Sequence, residues 1–339
     1  GKSWSSFQLN LPITSIRDLQ VKENDLIAAT HGRSFWMIDD LTPLHQLNQE
    51  IIDKNFYLFK PDKSYRMHQS GGWGRVNTKL VGENHPNGVI INYYIKNLKE
   101  NDKVRIDILD SENKIIQSYS NKNLDDIENN DSKPVLSNSQ DIDYALTGMN
   151  IKSLKVKSGG NRLIWDMRYP GFTSFDGMVL YSSPNVGPKA IPGNYNVKMY
   201  YNDDIINQDF TIVKDPRISN TLDDYEEQFN FLIDVRNQVS RANQAIIDIR
   251  EGRENLNFIK KQVNKNDQLL DLINEFDQKI TVIENNIHMT KNKSRQDPLN
   301  YGIRINNRLA FLMADSQRGD YPPTDQSKGF FKEIKKELD

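Results

Sequence analysis

Two hydrophobic periodicities divide the chain. From Val89 to Val213 apolar residues come in short runs or at every second position: Val89 to Ile95, Val104 to Leu109, Lys114 to Tyr119, Asn161 to Met167, Tyr195 to Tyr200 and Ile205 to Val213. Turn residues bound each run, as they do β-strands. In Val104, Ile106 and Ile108 the apolar side chains share one face, with Arg105 and Asp107 on the other. Asp110-Ser111-Glu112-Asn113 and Asn202-Asp203-Asp204 supply hairpin turns. Short strands joined by hairpins predict a β-sandwich over residues 83–216.

After Asp215-Pro216-Arg217 the period changes from two to about 3.6. Leu222, Tyr225, Phe229, Leu232, Val235, Val239, Ala242, Ile246 and Ile249 recur three or four apart, predicting a long amphipathic helix closed at Glu251-Gly252. Leu269, Leu272, Phe276, Ile280, Ile283 and Ile287 repeat the pattern. Asp297-Pro298 marks another helix start before Ile303, Ile305, Leu309 and Leu312, and Thr324 caps a last helix bearing Phe330, Phe331, Ile334 and Leu338. Four helices with connections that permit antiparallel packing predict a helical bundle over 217–339.

Ahead of the sandwich, Asp25 to Thr30 and Phe35 to Asp40 read as two strands around a turn at His31-Gly32-Arg33-Ser34. One propeller blade needs about 40 residues and cannot cover its own faces, so residues 1–45 predict an incomplete blade with missing neighbours. Residues 46–82 lack sustained periodicity and read as a connector, with one candidate strand at Asn55 to Pro61 and a flexible turn at Ser70 to Gly74. Residues 120–150, rich in Asn, Asp and Ser, read as an insertion at the sandwich edge, with a short helix near Ile142 to Leu146.

Composition narrows the function classes. In 339 residues, 44 basic and 46 acidic side chains give a formal charge of -2, so no basic field is available for nucleic acid. Mean hydropathy is -0.71, and no run approaches the roughly 20 apolar residues of a membrane span. Cysteine is absent, which removes disulfides, thiolate metal sites and thiol nucleophiles. The five histidines have no metal-ligand spacing, and the acidic run Asp125 to Asp131 lacks the spacing of a calcium loop, so a solvated loop is the favoured reading. Neither metal nor cofactor is expected.

The densest reactive cluster is His31, Arg33, Asp39 and Asp40, with Trp36 among them. Paired carboxylates beside a histidine suit glycoside hydrolysis. Asp39 and Asp40 are neighbours, however, and on a strand they point to opposite faces, so no catalytic residue is assigned. Trp165 offers a ring that could stack on a sugar or belong to the core, and Asp166 offers a carboxylate that either binds or holds a turn. The candidate ligand-binding residues are therefore His31, Arg33, Trp36, Asp39, Trp165 and Asp166. The long aromatic loop Phe172 to Lys189 either binds, covers the sandwich or meets a missing propeller.

Gly1-Lys2-Ser3-Trp4 resembles the tail of an Asp-box, the hairpin turn of sialidase-like and sortilin-like propellers, and implies a chain cut inside a repeat. Asp25 to Leu44 resembles the last blade of bacterial BNR-repeat, sortilin-like (VPS10-type) proteins often labelled glycosyl hydrolases. The likeness continues through Gly160 to Gly171, Ala190 to Tyr195 and Asp297 to Tyr301, and Pro192-Gly193-Asn194-Tyr195 also resembles immunoglobulin-like domains of exported bacterial proteins. The resemblance implies a terminal propeller-blade remnant, an immunoglobulin- or fibronectin-like sandwich and an antiparallel helical bundle. It implies an exported protein, periplasmic, secreted or at the cell surface, partnered by the rest of its own propeller and binding a glycan or peptide. The alternative is an accessory part of a glycoside hydrolase whose carboxylates lie on other blades.

Overall fold

The computed structural model describes Trp4 and residues 6–67, 85–122, 151–262 and 268–339, and it is a mixed β-plus-α fold. The tail Gly1 to Ser3, the turn at Ser70 to Gly74, the run Asp125 to Asp131 and the segment Ile142 to Leu146 lie outside the described residues.

Strands β1 (Ile16–Lys22), β2 (Asp25–Thr30) and β3 (Phe35–Ile38) form an antiparallel sheet in the order β1-β2-β3. The register sorts the side chains onto faces, because directly paired residues point the same way. One face carries Leu19, Val21, Leu26, Ala28, Trp36 and Ile38; the other carries Ile27, Ala29, Phe35 and Met37 on β2 and β3, with Asp18, Gln20 and Lys22 of β1 and Asp25 of β2 beside them. The first face is wholly apolar and the second is apolar only across β2 and β3, yet none of these apolar residues is buried and Phe35 is 77% exposed.

Short helices α1 (Thr42–Gln46) and α2 (Gln49–Asp53) follow; the Asn48 side chain caps α2 by accepting from the Ile51 amide at 2.9 Å. The next strands, β4 (Phe56–Leu58) and β5 (Ser64–Arg66), separate into two sheets. β4 pairs with β6 (Val89–Ile95), which pairs with β10 (Gly159–Trp165). β5 runs parallel to β12 (Asp204–Lys214) at one end of a six-stranded sheet completed by β11 (Gly193–Tyr201), β7 (Val104–Leu109), β8 (Ile115–Ser120) and β9 (Lys152–Ser153). The stretch read as a connector thus supplies strands to both sheets. The candidate strand at Asn55 to Pro61 is β4, whereas β5, three residues long, carries too little periodicity to show itself.

The two sheets share one core. Leu58, Ile91, Tyr93, Ile106, Ile108, Val197 and Met199 are at most 1% exposed. Trp165 is fully buried, with its ring 5.9 Å from Tyr195 and 6.1 Å from Phe210. At the β7–β8 hairpin, the Asp110 carboxylate accepts from the Glu112 and Lys114 amides while Asn113 takes φ +62°.

Helix α3 (Leu222–Lys260) begins with a capping box between Thr221 and Asp224 and runs straight through Gly252. The expected stop there is corrected. A helical glycine costs about 1 kcal/mol against alanine, and beyond it Arg253 bonds Asp277 at 2.8 Å and Glu284 at 2.7 Å, side-chain partners that hold the extra turns. Those partners lie on α4 (Gln268–Ile287), and the pairings Arg250–Glu284 and Arg253–Asp277 make α4 antiparallel to α3. After the short α5 (Pro298–Tyr301), α6 (Ile305–Asp315) also runs antiparallel to α3, since Asn243 meets Asn306 and Gln228 meets the Ser316 carbonyl. The last helix, α7 (Asp325–Leu338), runs alongside α3, with Glu227 bonded to Lys328 and Arg241 to Asp339.

The loop Phe172 to Lys189 leaves the β-unit and packs against the helices. Phe172, Met178 and Leu180 join the cluster of Leu232, Val235, Val239 and Leu309. Its two limbs approach closely at glycines: a Cβ on Gly187 would fall 1.9 Å from the Tyr169 carbonyl oxygen, and one on Gly171 2.0 Å from the Asn185 side chain.

Candidate functional site

The six residues singled out from the sequence fall in separate places. His31 and Arg33 sit at the exposed tip of the β2–β3 turn, where Gly32 and Ser34 have φ of +76° and +68° and the Thr30 hydroxyl donates to the Ser34 carbonyl at 2.5 Å. Trp36 lies half-buried, its indole N–H donating to the Arg33 carbonyl at 2.8 Å. Asp39 follows β3 at its far end, five residues from Ser34 and so some 17 Å away at roughly 3.3 Å per residue. His31 and Asp39 therefore cannot act on one bond. Trp165 belongs to the core of the other sheets, where protein rings cover it, and Asp166 accepts from the Arg168 amide at 3.2 Å in a turn.

What β3 does deliver is Asp40. Its carboxylate accepts from the Thr42 amide at 3.1 Å and from the Asn92 side chain at 3.0 Å, and its own amide donates to Asp25 at 3.0 Å. Asn92, on β6, in turn accepts from Arg162 of β10 at 3.4 Å. The chain Asp40–Asn92–Arg162 ties the end of the first sheet to the outer face of the three-stranded sheet.

Beside this tie lies an open cleft of about 560 Å³, lined by Pro43, Phe59, Asn92, Lys155, Lys157 and Arg162 among others. The strands dictate its chemistry. Alternation along β10 turns Arg162 outward while Trp165 turns inward. Asn161 fixes the approach to β10 by accepting from the Lys157 amide at 2.9 Å and donating to its carbonyl at 2.7 Å. Three cations line the cleft and, among the described residues, no carboxylate does. Such a wall suits a polar or anionic ligand held by hydrogen bonds and charge over an apolar floor. None of Asn92, Lys155, Lys157 or Arg162 stood out in the sequence; the only signal was Lys155-Val156-Lys157, two lysines at strand spacing.

Two further polar clusters are buried where units meet. Arg66 at the end of β5 is ion-paired with Asp320, donates to the Ala190 carbonyl at 2.8 Å and lies 4.7 Å above the Tyr225 ring. Lys189 beside it donates to the Met67 carbonyl at 2.7 Å, and burial pushes its ammonium down to about 8, with Arg66 and Arg168 adding to the shift. Within the helices, Asn306 donates to Asn243 at 3.0 Å and its amide nitrogen lies 3.2 Å from His288 Nδ1, while Asn243 donates to the Thr173 carbonyl at 2.7 Å. Burial holds His288 below its ordinary value, and the nearby Arg250 charge adds to this. The side chains of these clusters bond to one another and to backbone carbonyls of the β-unit and the loop, which makes them fasteners between β-unit, loop and helices. The Ser183 hydroxyl donates to the Tyr181 carbonyl at 2.7 Å and accepts from the Asn307 side chain at 3.2 Å, so it holds the loop to α6.

Among the described residues, no group of three or more His, Asp or Glu is placed to hold a metal ion, and no helix is long and apolar enough to cross a membrane. The chain matches no family model, no curated protein and no solved structure.

Proposed function

We propose that this chain is the non-catalytic, C-terminal scaffold of an exported, sortilin-like propeller protein that binds an extracellular glycan or peptide. In this reading β1 to β3 are strands of the last propeller blade, the two facing sheets are an immunoglobulin-like sandwich, and α3 to α7 are an antiparallel bundle bracing it. The observation that carries the reading is the first sheet, whose apolar face of Leu19, Val21, Leu26, Ala28, Trp36 and Ile38 is unburied, and whose strands β2 and β3 are apolar on the other face as well. Strand β1 alternates apolar and polar residues, as a strand with one wet face does, whereas β2 and β3 are apolar on both faces, as strands covered on both sides are. Propeller blades are stacked between neighbours in this way. The cleft beside Asp40 adds a ligand surface at the joint between blade and sandwich, and its Arg162, Lys155 and Lys157 favour a hydroxyl-rich or acidic ligand.

Glycan and peptide arrays probed with the protein from its native source test this reading. Binding without product release, weakened at least tenfold by Arg162→Glu with Lys155→Glu, is the expected result. Release of reducing sugar, abolished by substituting a carboxylate upstream of this chain, would instead make the whole protein a hydrolase.

A further inference from the structure

The outer half of the α3–α4 hairpin carries an apolar face that stays exposed among the described residues. Helix α4 has two apolar stripes. Ile273, Ile280 and Ile287, seven apart, point at α3 and are 5%, 8% and 7% exposed. About 50° around the helix, Leu269, Leu272, Phe276 and Ile283 recur at spacings of three, four and seven and remain 44%, 62%, 53% and 50% exposed. At 3.6 residues per turn these four fall within about 60° of one another. Leu256 of α3 lines a groove with Leu272 and Phe276, and Ile259, 41% exposed, continues the same side of α3 one turn on. Gly252, where an added Cβ would meet nothing, leaves that side of α3 open to close approach.

We propose that this face docks a second copy of the chain, hairpin against hairpin about a two-fold axis, so that α3 and α4 of both copies make a four-helix layer. The spacing of the second stripe is that of a coiled-coil seam, which a helix needs when it packs on another helix. The area also fits. A half-exposed large side chain leaves about 100 Å² uncovered, so five leave about 500 Å² per copy. That is close to the apolar share of a homodimer interface of roughly 800 Å² per partner. A two-fold contact must also be self-complementary. Glu275 and Lys279 stand on the rim of the groove, bonded to each other at 2.7 Å within one chain, and an antiparallel contact centred near Phe276 sets Glu275 of one copy against Lys279 of the other. Asp271, Glu275, Asp277 and Glu284 on α4 make an anionic lipid surface the wrong occupant.

Light scattering on the purified chain reads the outcome as a mass. The expected mass is twice 39.3 kDa at micromolar concentration. Leu272→Glu with Phe276→Glu should reduce it to one chain with the helical circular dichroism intact, while Phe35→Asp with Met37→Asp on the first sheet should leave the pair. Because the double change on α4 can also unfold the hairpin, a mixing experiment stands beside it. Glu275→Lys and Lys279→Glu chains should each be single alone and pair when mixed. A wild-type chain that stays single, a pair that only the first-sheet changes dissolve, or mixed chains that do not combine would overturn the proposal. None of these outcomes depends on what the protein binds.

Discussion

The chain holds two three-stranded sheets of similar composition and opposite fate. In β4, β6 and β10 the inward residues Leu58, Ile91, Tyr93 and Trp165 are at most 1% exposed, because a six-stranded sheet lies over them. In β1, β2 and β3 the apolar residues are as dense, yet Leu19 is 60% and Phe35 77% exposed. Strand pairing alone therefore does not confer a core. A pleated surface contributes to stability only when a second layer removes it from water, at about 25 cal/mol per Å² of apolar area. The first sheet has one wholly apolar face and, across β2 and β3, part of a second, and among the described residues no layer buries either.

The largest contrast should come from tryptophan. Trp165→Ala empties a fully buried site and should cost about 3–5 kcal/mol, read as a lower urea midpoint, whereas Trp36→Ala should change the midpoint little. Equal losses would break the comparison. Next in size is the Arg66–Asp320 pair, whose side chains are 4% and 3% exposed. Asp320→Leu alone leaves a guanidinium buried without its carboxylate and should cost about 3–5 kcal/mol, while Arg66→Met with Asp320→Leu should recover most of that loss.

A smaller effect is set by pH. His288 is held below its ordinary 6.5 by burial and Arg250, with Asn306 and Glu284 pulling the other way. Below that pH the unfolded chain takes up a proton that the folded one resists, so stability falls as pH drops under about 6.5. Burial alone would raise Glu284, but hydrogen bonds and charge from Arg253 and Arg250 carry it below its ordinary 4.5, so its contribution is present above that pH and lost beneath it. Chemical denaturation of the helical unit should show both losses, and His288→Asn should flatten only the first. The smallest effect is Phe35→Ala, expected within about 0.5 kcal/mol of wild type in the same denaturation assay.

Most elements were legible because their signals are local. Six runs of alternating or continuous apolar residues became β6, β7, β8, β10, β11 and β12, and the 3.6 period located α3, α4, α6 and α7. Thr324 caps α7 as expected, accepting from the Ser327 amide at 3.1 Å. The helix through Gly252 was not legible, because Arg253 finds its partners on a different helix. Nor was the course of the loop at Phe172 to Lys189, since its anchors, Ser240, Asn243 and Asn307, lie 67 to 126 residues away. The cleft stayed hidden for the same reason: Pro43, Asn92 and Arg162 become neighbours only after β6 and β10 pair.

Hydrogen exchange, measured on the chain alone and on the protein from its native source, tests the central claim most directly. In both samples the amides of β6 and β11 should exchange slowly. Those of β1 to β3 should exchange fast in the chain alone and, under the proposal that neighbouring blades cover them, at least 100-fold more slowly in the native protein. Equal, fast exchange of β1 to β3 in both samples, or a native mass of 39.3 kDa, would contradict the account.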